Sequence, residues 1–505
     1  MDLLNEIQSQ LGANHDESLS IVRKLREAHC CYRCCLRFLS CRPLKLYAVP
    51  EQDLAAAFGK LLVNQDQDSD FVCTACLGCL SAPDNTEFTE DLQQRFTREN
   101  YQTKQVNLSC TLPISMLSRD HLLALYLRDT LKIKVVPREP KEPFKHLITK
   151  LLREKLGLDI NTEGALRMTV VMTHEPTATE HMFLTQAKNP VLKVRKKQRK
   201  GKITILGDSR STVTEALNAL SDDEARSLAS VPPPHQTTPA TLASLDLMHD
   251  SAYLAGRYIK LSREFSQTPW SIKGKKLAEN SVSESICELL KTQHRCDGYK
   301  FVTAGREDAN VRMLGTGRPF YVELINPRVA KFSQEEYNTM QNTINSSDTK
   351  DAVQLRDLTN ISPKDTKIIK EGEQFKRKTY RALVWMSDPV TQEMMDKVNA
   401  AGKEPFKIQQ NTPARVFQRR AGIIREKEIH YLQIARPARA GDSAGPEKHF
   451  AVVTMNTQAG TYIKEFVHGD LGRTQPNLAS LAGSQGADLI ELDVMQVDLE
   501  WPPKK

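Results

Sequence analysis

Eight of the eleven cysteines fall between Cys30 and Cys79, and no other feature of this chain restricts its folding as tightly. Cys31-x2-Cys34 and Cys73-x2-Cys76 are two pairs whose spacing lets both thiolates of a pair face one tetrahedral ion. Together Cys31, Cys34, Cys73 and Cys76 form a four-sulfur zinc candidate. Cys30, Cys35, Cys41 and Cys79 offer alternative pairings, Cys76-x2-Cys79 among them, and buried unliganded thiols or a redox role are the competing readings. An odd number of cysteines, crowded locally, suits a metal site in a reducing compartment better than a disulfide framework. No histidine–carboxylate group accompanies them, so a structural metal is expected rather than one that activates water.

At roughly 150 residues per domain, 505 residues suggest two or three domains. Charged residues at 26% and apolar residues at 40% are those of a globular chain. The longest apolar run, Leu122 to Leu127, is far short of the ~20 residues a bilayer span requires. Met1 to Glu6 lacks the charged start and apolar core of a signal peptide. The expectation is a soluble intracellular protein of nucleus, cytoplasm or both, with no membrane partner and with a monomer as the default state. Formal charge is +8, and the excess lies in residues 251–505, with 38 Lys and Arg against 31 Asp and Glu. A cationic surplus suits a polyanion partner, because each phosphate neutralised releases a condensed counterion.

Leu19, Val22, Leu25 and Ala28 recur at helical spacing and predict a helix over 17–29 that leads into the first cysteines. Leu147, Ile148, Leu151, Leu152 and Leu156 predict another over 144–156, stopped by Gly157, and 167–173 reads as a buried strand. Lys193 to Lys202 holds seven cations in ten residues, a solvated loop or localisation signal on one reading and an RNA-phosphate contact on another. Pro232-Pro233-Pro234 to Pro239 reads as an interdomain connection, with the boundary near residue 250. Strands then dominate: 320–325, 380–386, 429–435, 450–455 and 492–501, with a helix over 282–290. Helices scattered irregularly among strands indicate an α+β sheet domain rather than a doubly wound one.

The most informative stretch runs from Ala304 to Phe320. An acid embedded among Arg306, Arg312 and Arg318, with glycines permitting sharp turns, describes a carboxylate held ionised by its neighbours and able to act as a nucleophile. A surface loop with ordinary ion pairs is the plainer alternative.

Gly305-Arg306-Glu307-Asp308, with its continuation to Asn326-Pro327, resembles the archaeal and eukaryotic tRNA pseudouridine synthase family that acts on adjacent T-loop uridines. Further blocks match in order: Gln267-Thr268-Pro269-Trp270; Lys378 to Leu383; Thr412-Pro413-Ala414-Arg415-Val416; Thr457 to Asp470; and the ending Leu492 to Pro503. The likeness covers residues 255–505, and the Cys-x-x-Cys pairs extend it to the N-terminal region, where the family carries zinc and a THUMP-like RNA-binding α/β domain. It implies a helical zinc-binding segment over 1–80, a THUMP-like region and linker over 81–250, and a catalytic domain on a mixed, mainly antiparallel sheet over 251–505. It also implies Asp308 as the catalytic nucleophile, Tyr380 stacked on the target base, Tyr462 lining the uridine pocket, Lys464 as the cation beside the aspartate, and Arg306 holding the extruded nucleotide. The stretch near Gln267 to Asn280 resembles the family's forefinger loop and Phe406 to Ala421 its thumb loop. The thumb departs from the usual pattern at Gln418-Arg419-Arg420-Ala421, where many members have histidine before the arginine pair and proline after it.

The implied activity is isomerisation of uridine to pseudouridine at T-loop position 54, 55 or both. The implied cofactor is structural zinc with no organic cofactor, and the partner is the tRNA T-arm, other RNAs being further candidates. Two rivals remain at this stage. A methyltransferase or thiolase would need a nucleotide loop, which Gly315-Thr316-Gly317 serves poorly because Arg-Pro leads it into a strand. An RNA-binding scaffold with secondary synthase activity is the other.

Overall fold

The computed structural model describes residues 3–504 except 12–13, 63–70, 193–195, 200–201, 206–208, 273–274, 277, 279, 417–420 and 438–444. The chain forms two compact units, residues 1–249 and 250–505. Among the described residues no helix is long and apolar enough to cross a membrane.

In the first unit the helix expected over 17–29 spans His15–Glu27, capped by Asn14, and buries Ile21, Val22 and Leu25. The short helix Tyr32–Phe38 follows, wholly buried. A four-stranded sheet has the order Asp159–Ile160, Gln105–Thr111, Leu166–Thr173, Thr241–His249. Its first two pairings are parallel and the last antiparallel. Burial alternates along Gln105–Thr111 and Leu166–Thr173 because successive side chains point to opposite faces. Helix Lys141–Leu156 ends at Gly157, whose φ of +61° closes the last turn where a side chain would be strained.

Two expectations are corrected here. The proline-rich stretch is not an interdomain connection: Pro234 O accepts from Arg119, Thr238 O from His174 and Leu77 O from the Ala240 amide, so the segment is packed inside the first unit. Nor does packing divide at residue 80, since one hydrophobic core runs from Ile7 through the cysteines to Leu242. The cysteine region supplies part of the apolar cover its sheet needs, so neither part is a core by itself. Of the basic block, Lys196–Arg199 pairs with Lys202–Ile205 as an antiparallel ribbon, and 193–195 and 200–201 lie outside the described residues.

The second unit is built on a ten-stranded sheet. Its order is Val353–Ile361, Ala252–Lys260, Arg312–Ile325, Ala487–Val497, Lys378–Met386, Phe450–Thr457, Ile424–Ala435, Phe406–Asn411, Thr474–Gln475, with Gly298–Thr303 also paired to Arg312–Ile325. All pairings are antiparallel except the central one, where Arg312 and Met313 run parallel to Asp493 and Val494. Two antiparallel halves thus meet at a short parallel seam. Helices Val282–His294 and Gln334–Asn345 cover one half, and Gln392–Ala401, Ile463–His468 and Leu478–Ala482 the other. Val282, Ile286 and Leu290 are fully buried, each contributing about 1.5–3 kcal/mol by leaving water.

The strand expected over 492–501 is displaced, ending at Val497. The chain then turns, and Trp501 buries its indole and donates to Phe320 O at 2.8 Å. Gly315 and Gly317 lie within Arg312–Ile325 and not in a phosphate loop. A Cβ on Gly315 would stand 1.9 Å from Met495 O, so the glycine is required by the close approach of the seam strands.

Candidate functional site

The cleft lies in the second unit, beside the seam, with a volume of about 1040 Å³. It brings together all five residues named from the sequence: Arg306, Asp308, Tyr380, Tyr462 and Lys464. Asp308 sits in the turn between strands Gly298–Thr303 and Arg312–Ile325. Lys464 is in the first turn of helix Ile463–His468 and donates to Asp308 Oδ2 at 2.9 Å, across 156 positions of sequence. Arg415 Nη1 stands 4.0 Å from the same oxygen. Burial pushes the Asp308 carboxyl up, but Lys464, Arg415 and Arg306 outweigh it and hold it below its ordinary value of 3.8. The group is ionised at neutral pH.

The cations were only partly legible. Of the three flanking arginines, Arg306 acts on Asp308, whereas Arg312 makes a two-pronged pair with Asp493 at 2.9 and 2.6 Å, and Arg318 pairs with Glu307 at 2.6 Å. Neighbours in sequence point to opposite sides of the loop, so Glu307 is buried where Asp308 opens to the cleft. Gly305 permits this turn. Its φ is +90°, and a Cβ there would lie 2.8 Å from Lys378 Nζ and 3.0 Å from Arg318 Nη1.

Tyr380, on strand Lys378–Met386, has its phenol pushed up to about 12 by burial, so the hydroxyl keeps its proton. Tyr462 is clamped through its backbone, its amide donating to Gln410 Oε1 at 3.0 Å and its carbonyl accepting from Gln410 Nε2 at 2.9 Å. Trp270 lines the cleft and is 48% exposed. Parts of the two implied loops, 273–274, 277 and 279 in one and 417–420 in the other, lie outside the described residues.

Sequence reasoning gave no role to Arg415 or Lys260. Arg415 is anchored by the buried Glu465, which accepts from its Nε at 2.8 Å. Consecutive residues Lys464 and Glu465 therefore serve the nucleophile candidate and its second cation. Lys260 is fully buried and donates to the carbonyls of Phe265, Asp308 and Ala309 at 2.9, 3.2 and 2.6 Å. Burial lowers its ammonium to about 8. A lysine ending an apolar strand carried no signal that its charge would be enclosed.

In the first unit the sulfurs of Cys31, Cys34, Cys73 and Cys76 all lie within 4.8 Å of one another and are buried. A tetrahedral ion with metal–sulfur bonds of about 2.3 Å would separate them by about 3.8 Å, and Cys31 and Cys76 stand 3.9 Å apart. The Cys31 amide points at Cys73 Sγ (3.3 Å) and Arg37 at Cys34 Sγ (3.4 Å), donors that suit thiolates. These residues fit a bound metal ion. Cys30, Cys35, Cys41 and Cys79 are buried outside this set, which removes Cys76-x2-Cys79 as the ligand pair.

An ionised carboxylate paired with an ammonium thus lies in a cleft that two tyrosines also line, beside the parallel seam of a mixed sheet. Residues 253–498 match the family described as Pus10, C-terminal, and 73–246 the one described as Eukaryotic Pus10, N-terminal. A protein of Xenopus laevis named tRNA pseudouridine synthase Pus10 is 35% identical over 440 residues, covering 86% of this chain and 81% of the relative. The chain belongs to the Pus10 family. An archaeal protein of the same name, from Methanopyrus kandleri, is 36% identical over 256 residues, 48% of this chain and 55% of the relative. A solved Cbf5-Nop10-Gar1 complex aligns over 48% of each chain at 15% identity with a TM-score of 0.26, too slight a likeness to argue from.

Proposed function

We propose that this protein isomerises uridine to pseudouridine in the T-loop of tRNA, with Asp308 as nucleophile. The observation that carries the reading is the Lys464–Asp308 contact at 2.9 Å, made in a cleft that also presents Tyr380, Tyr462 and Trp270.

The target base must first leave its stack, at a cost of a few kcal/mol. Aromatic faces offset part of this, at about 1–3 kcal/mol per stacked base; Tyr380 and Tyr462 supply them. Arg306 and Arg415 offer guanidinium groups to the extruded nucleotide. Asp308 then acts on the ribose, either by attacking C1′ or by accepting the 2′ proton. The N1–C1′ bond breaks, the freed uracil turns, and C5 bonds to C1′ as the Asp308–C1′ bond breaks or, on the other route, as Asp308 returns the 2′ proton. C5 loses its proton and N1 gains one, so the change is an isomerisation without net redox. Lys464 keeps Asp308 charged for this step and neutralises the site between turnovers.

The cysteine cluster would hold zinc, a closed four-sulfur set that leaves no open coordination position and so serves the fold rather than the reaction. The first unit is the RNA-binding partner of the catalytic one, and its cationic ribbon is one candidate contact.

The test is nucleotide-resolution mapping of pseudouridine after incubating the purified protein with a tRNA transcript. Pseudouridine in the T-loop from wild type but not from Asp308→Asn is the expected result. Absence of product from wild type, or full activity in the variant, overturns the reading.

A further inference from the structure

Under the floor of the cleft lies a chain of buried polar groups for which the reaction above has no use. Gln267 Nε2 donates to Tyr258 Oη at 2.8 Å and to Gly305 O at 3.1 Å. Tyr258 Oη donates to Glu307 Oε1 at 2.6 Å, and Glu307 Oε2 meets Arg318 Nε at 2.6 Å. Arg318 Nη1 completes the run on Ala304 O at 2.9 Å. All four side chains are buried.

The direction of this chain is fixed by chemistry. A carboxylate only accepts and an amide nitrogen only donates, so the phenol accepts from Gln267 and gives its proton to Glu307. The Gln267 amide nitrogen has two hydrogens, and both are used. The chain ends on residues 304, 305 and 307, immediately before Asp308, while Lys260 holds the carbonyls of 308 and 309 from the other side.

Gln267 is equally fixed at its own backbone. Its carbonyl accepts from the Ser283 amide at 3.1 Å, and that of Ser266 from Val282 at 2.9 Å, at the start of helix Val282–His294. Three residues on, Trp270 presents its half-exposed indole to the cleft. The segment that displays Trp270 to RNA and the loop that displays Asp308 to the ribose therefore share one buried root.

We propose that Gln267 is a positioning residue for the isomerisation: through Gly305 and the Tyr258–Glu307 link it sets the register between RNA held at Trp270 and the Asp308 carboxylate. This rests on the reading of Asp308 as nucleophile. Buried groups coupled this way should act as a unit, and a register error of about an ångström between bound nucleotide and nucleophile costs on the order of a hundredfold in rate.

The experiment measures single-turnover pseudouridine formation by the full chain on a tRNA transcript, with transcript affinity and melting temperature recorded for each variant. Wild type must form product and Asp308→Asn must not; failure there strikes the proposed function rather than this inference. Gln267→Met keeps the volume and removes both donors. It should slow the rate constant by about twentyfold or more while the Kd for transcript stays within about twofold. Tyr258→Phe should slow it by about fivefold, and the double variant should be no slower than Gln267→Met, because both cut the same link. Gln267→Glu, which turns an acceptor toward Gly305 O, should be as slow as Gln267→Met. A wild-type rate in folded Gln267→Met or Gln267→Glu overturns the proposal. So does a double variant whose losses multiply together with a loss of RNA affinity, the pattern of two separate packing defects. Should Gln267→Met not fold, Tyr258→Phe decides: a slowed rate at unchanged Kd supports the proposal, and an unchanged rate overturns it.

Discussion

The cysteine cluster of the first unit and the cleft of the second both gather residues remote in sequence, but they balance charge in opposite ways. Cys31, Cys34, Cys73 and Cys76 are four groups of one kind, which as thiolates need a cation from outside the chain. Asp308, Lys464, Arg415 and Glu465 are two pairs of opposite sign supplied entirely by the chain. A site closed by its own charges survives without a resident ion and stays open to a passing substrate. One that lacks a counter-charge is committed to a permanent guest. On the proposed function the difference makes the first site a device of stability and the second a device of chemistry, and each should fail in its own currency.

The largest expected effect is on the chemistry alone. Asp308→Asn should lower pseudouridine formation by about a thousandfold or more while tRNA affinity stays within about twofold, read by product mapping beside a binding titration. A parallel fall in affinity and thermal stability would erase the contrast, since the cleft would then be holding the fold together. Next in size, a strong chelator or Cys73→Ser should abolish stoichiometric metal and lower the melting temperature of the first unit by about 10 °C or more. The single-turnover rate of the protein still folded should be unchanged. Calorimetry with metal analysis checks this, and a metal-free protein that melts normally would break the comparison from the other side.

Lys464→Met should slow turnover by about ten- to a hundredfold and move the acid limb of the rate profile to higher pH. The sign follows from Asp308, which is active when charged and is held below 3.8 in the intact site. Wild type therefore keeps this charge until pH falls beneath that value. With the ammonium gone the effect of burial is less opposed, and the carboxylate protonates earlier as acid is added. An acid limb that stays in place would mean that Lys464 only positions RNA. The smallest effect is expected of Arg415→Gln, a few-fold loss of rate with a slight shift of the same limb, because Glu465 already offsets much of that charge.

What was legible in the sequence follows the same division. The two Cys-x-x-Cys pairs announce their chemistry locally, because a ligand pair must sit on one short turn. Helices at 15–27 and 141–156 were readable from spacing for the same reason. The cleft was readable only where a motif stood out: the flanking arginines marked an acid in this loop, and the resemblance singled out Asp308, Arg306, Tyr380, Tyr462 and Lys464. Arg312 and Arg318 misled, since both lie in strand Arg312–Ile325 beyond the turn, where their charges pair with Asp493 and Glu307. Lys260 carried no signal of a role, and Gln267 stood out only as the first residue of a matched block, with no sign of its buried contacts. Their partners are backbone carbonyls and a phenol brought near by folding, and no local pattern records such a meeting. The proline-rich stretch misled as well, because stiffness does not distinguish a linker from a packed strap.

The seam between the two halves of the sheet has a consequence for how the second unit yields. Only Arg312–Asp493 and Met313–Val494 are in register across it, with the Arg312 and Arg263 guanidinium groups riveting Asp493 beside them. Each half is a cooperative antiparallel block, so thermal fluctuation will concentrate in the join and proton–deuterium exchange should report its amides first. A nucleotide lodged there would act as a wedge that stiffens the joint, and substrate should slow exchange at the seam more than in either half.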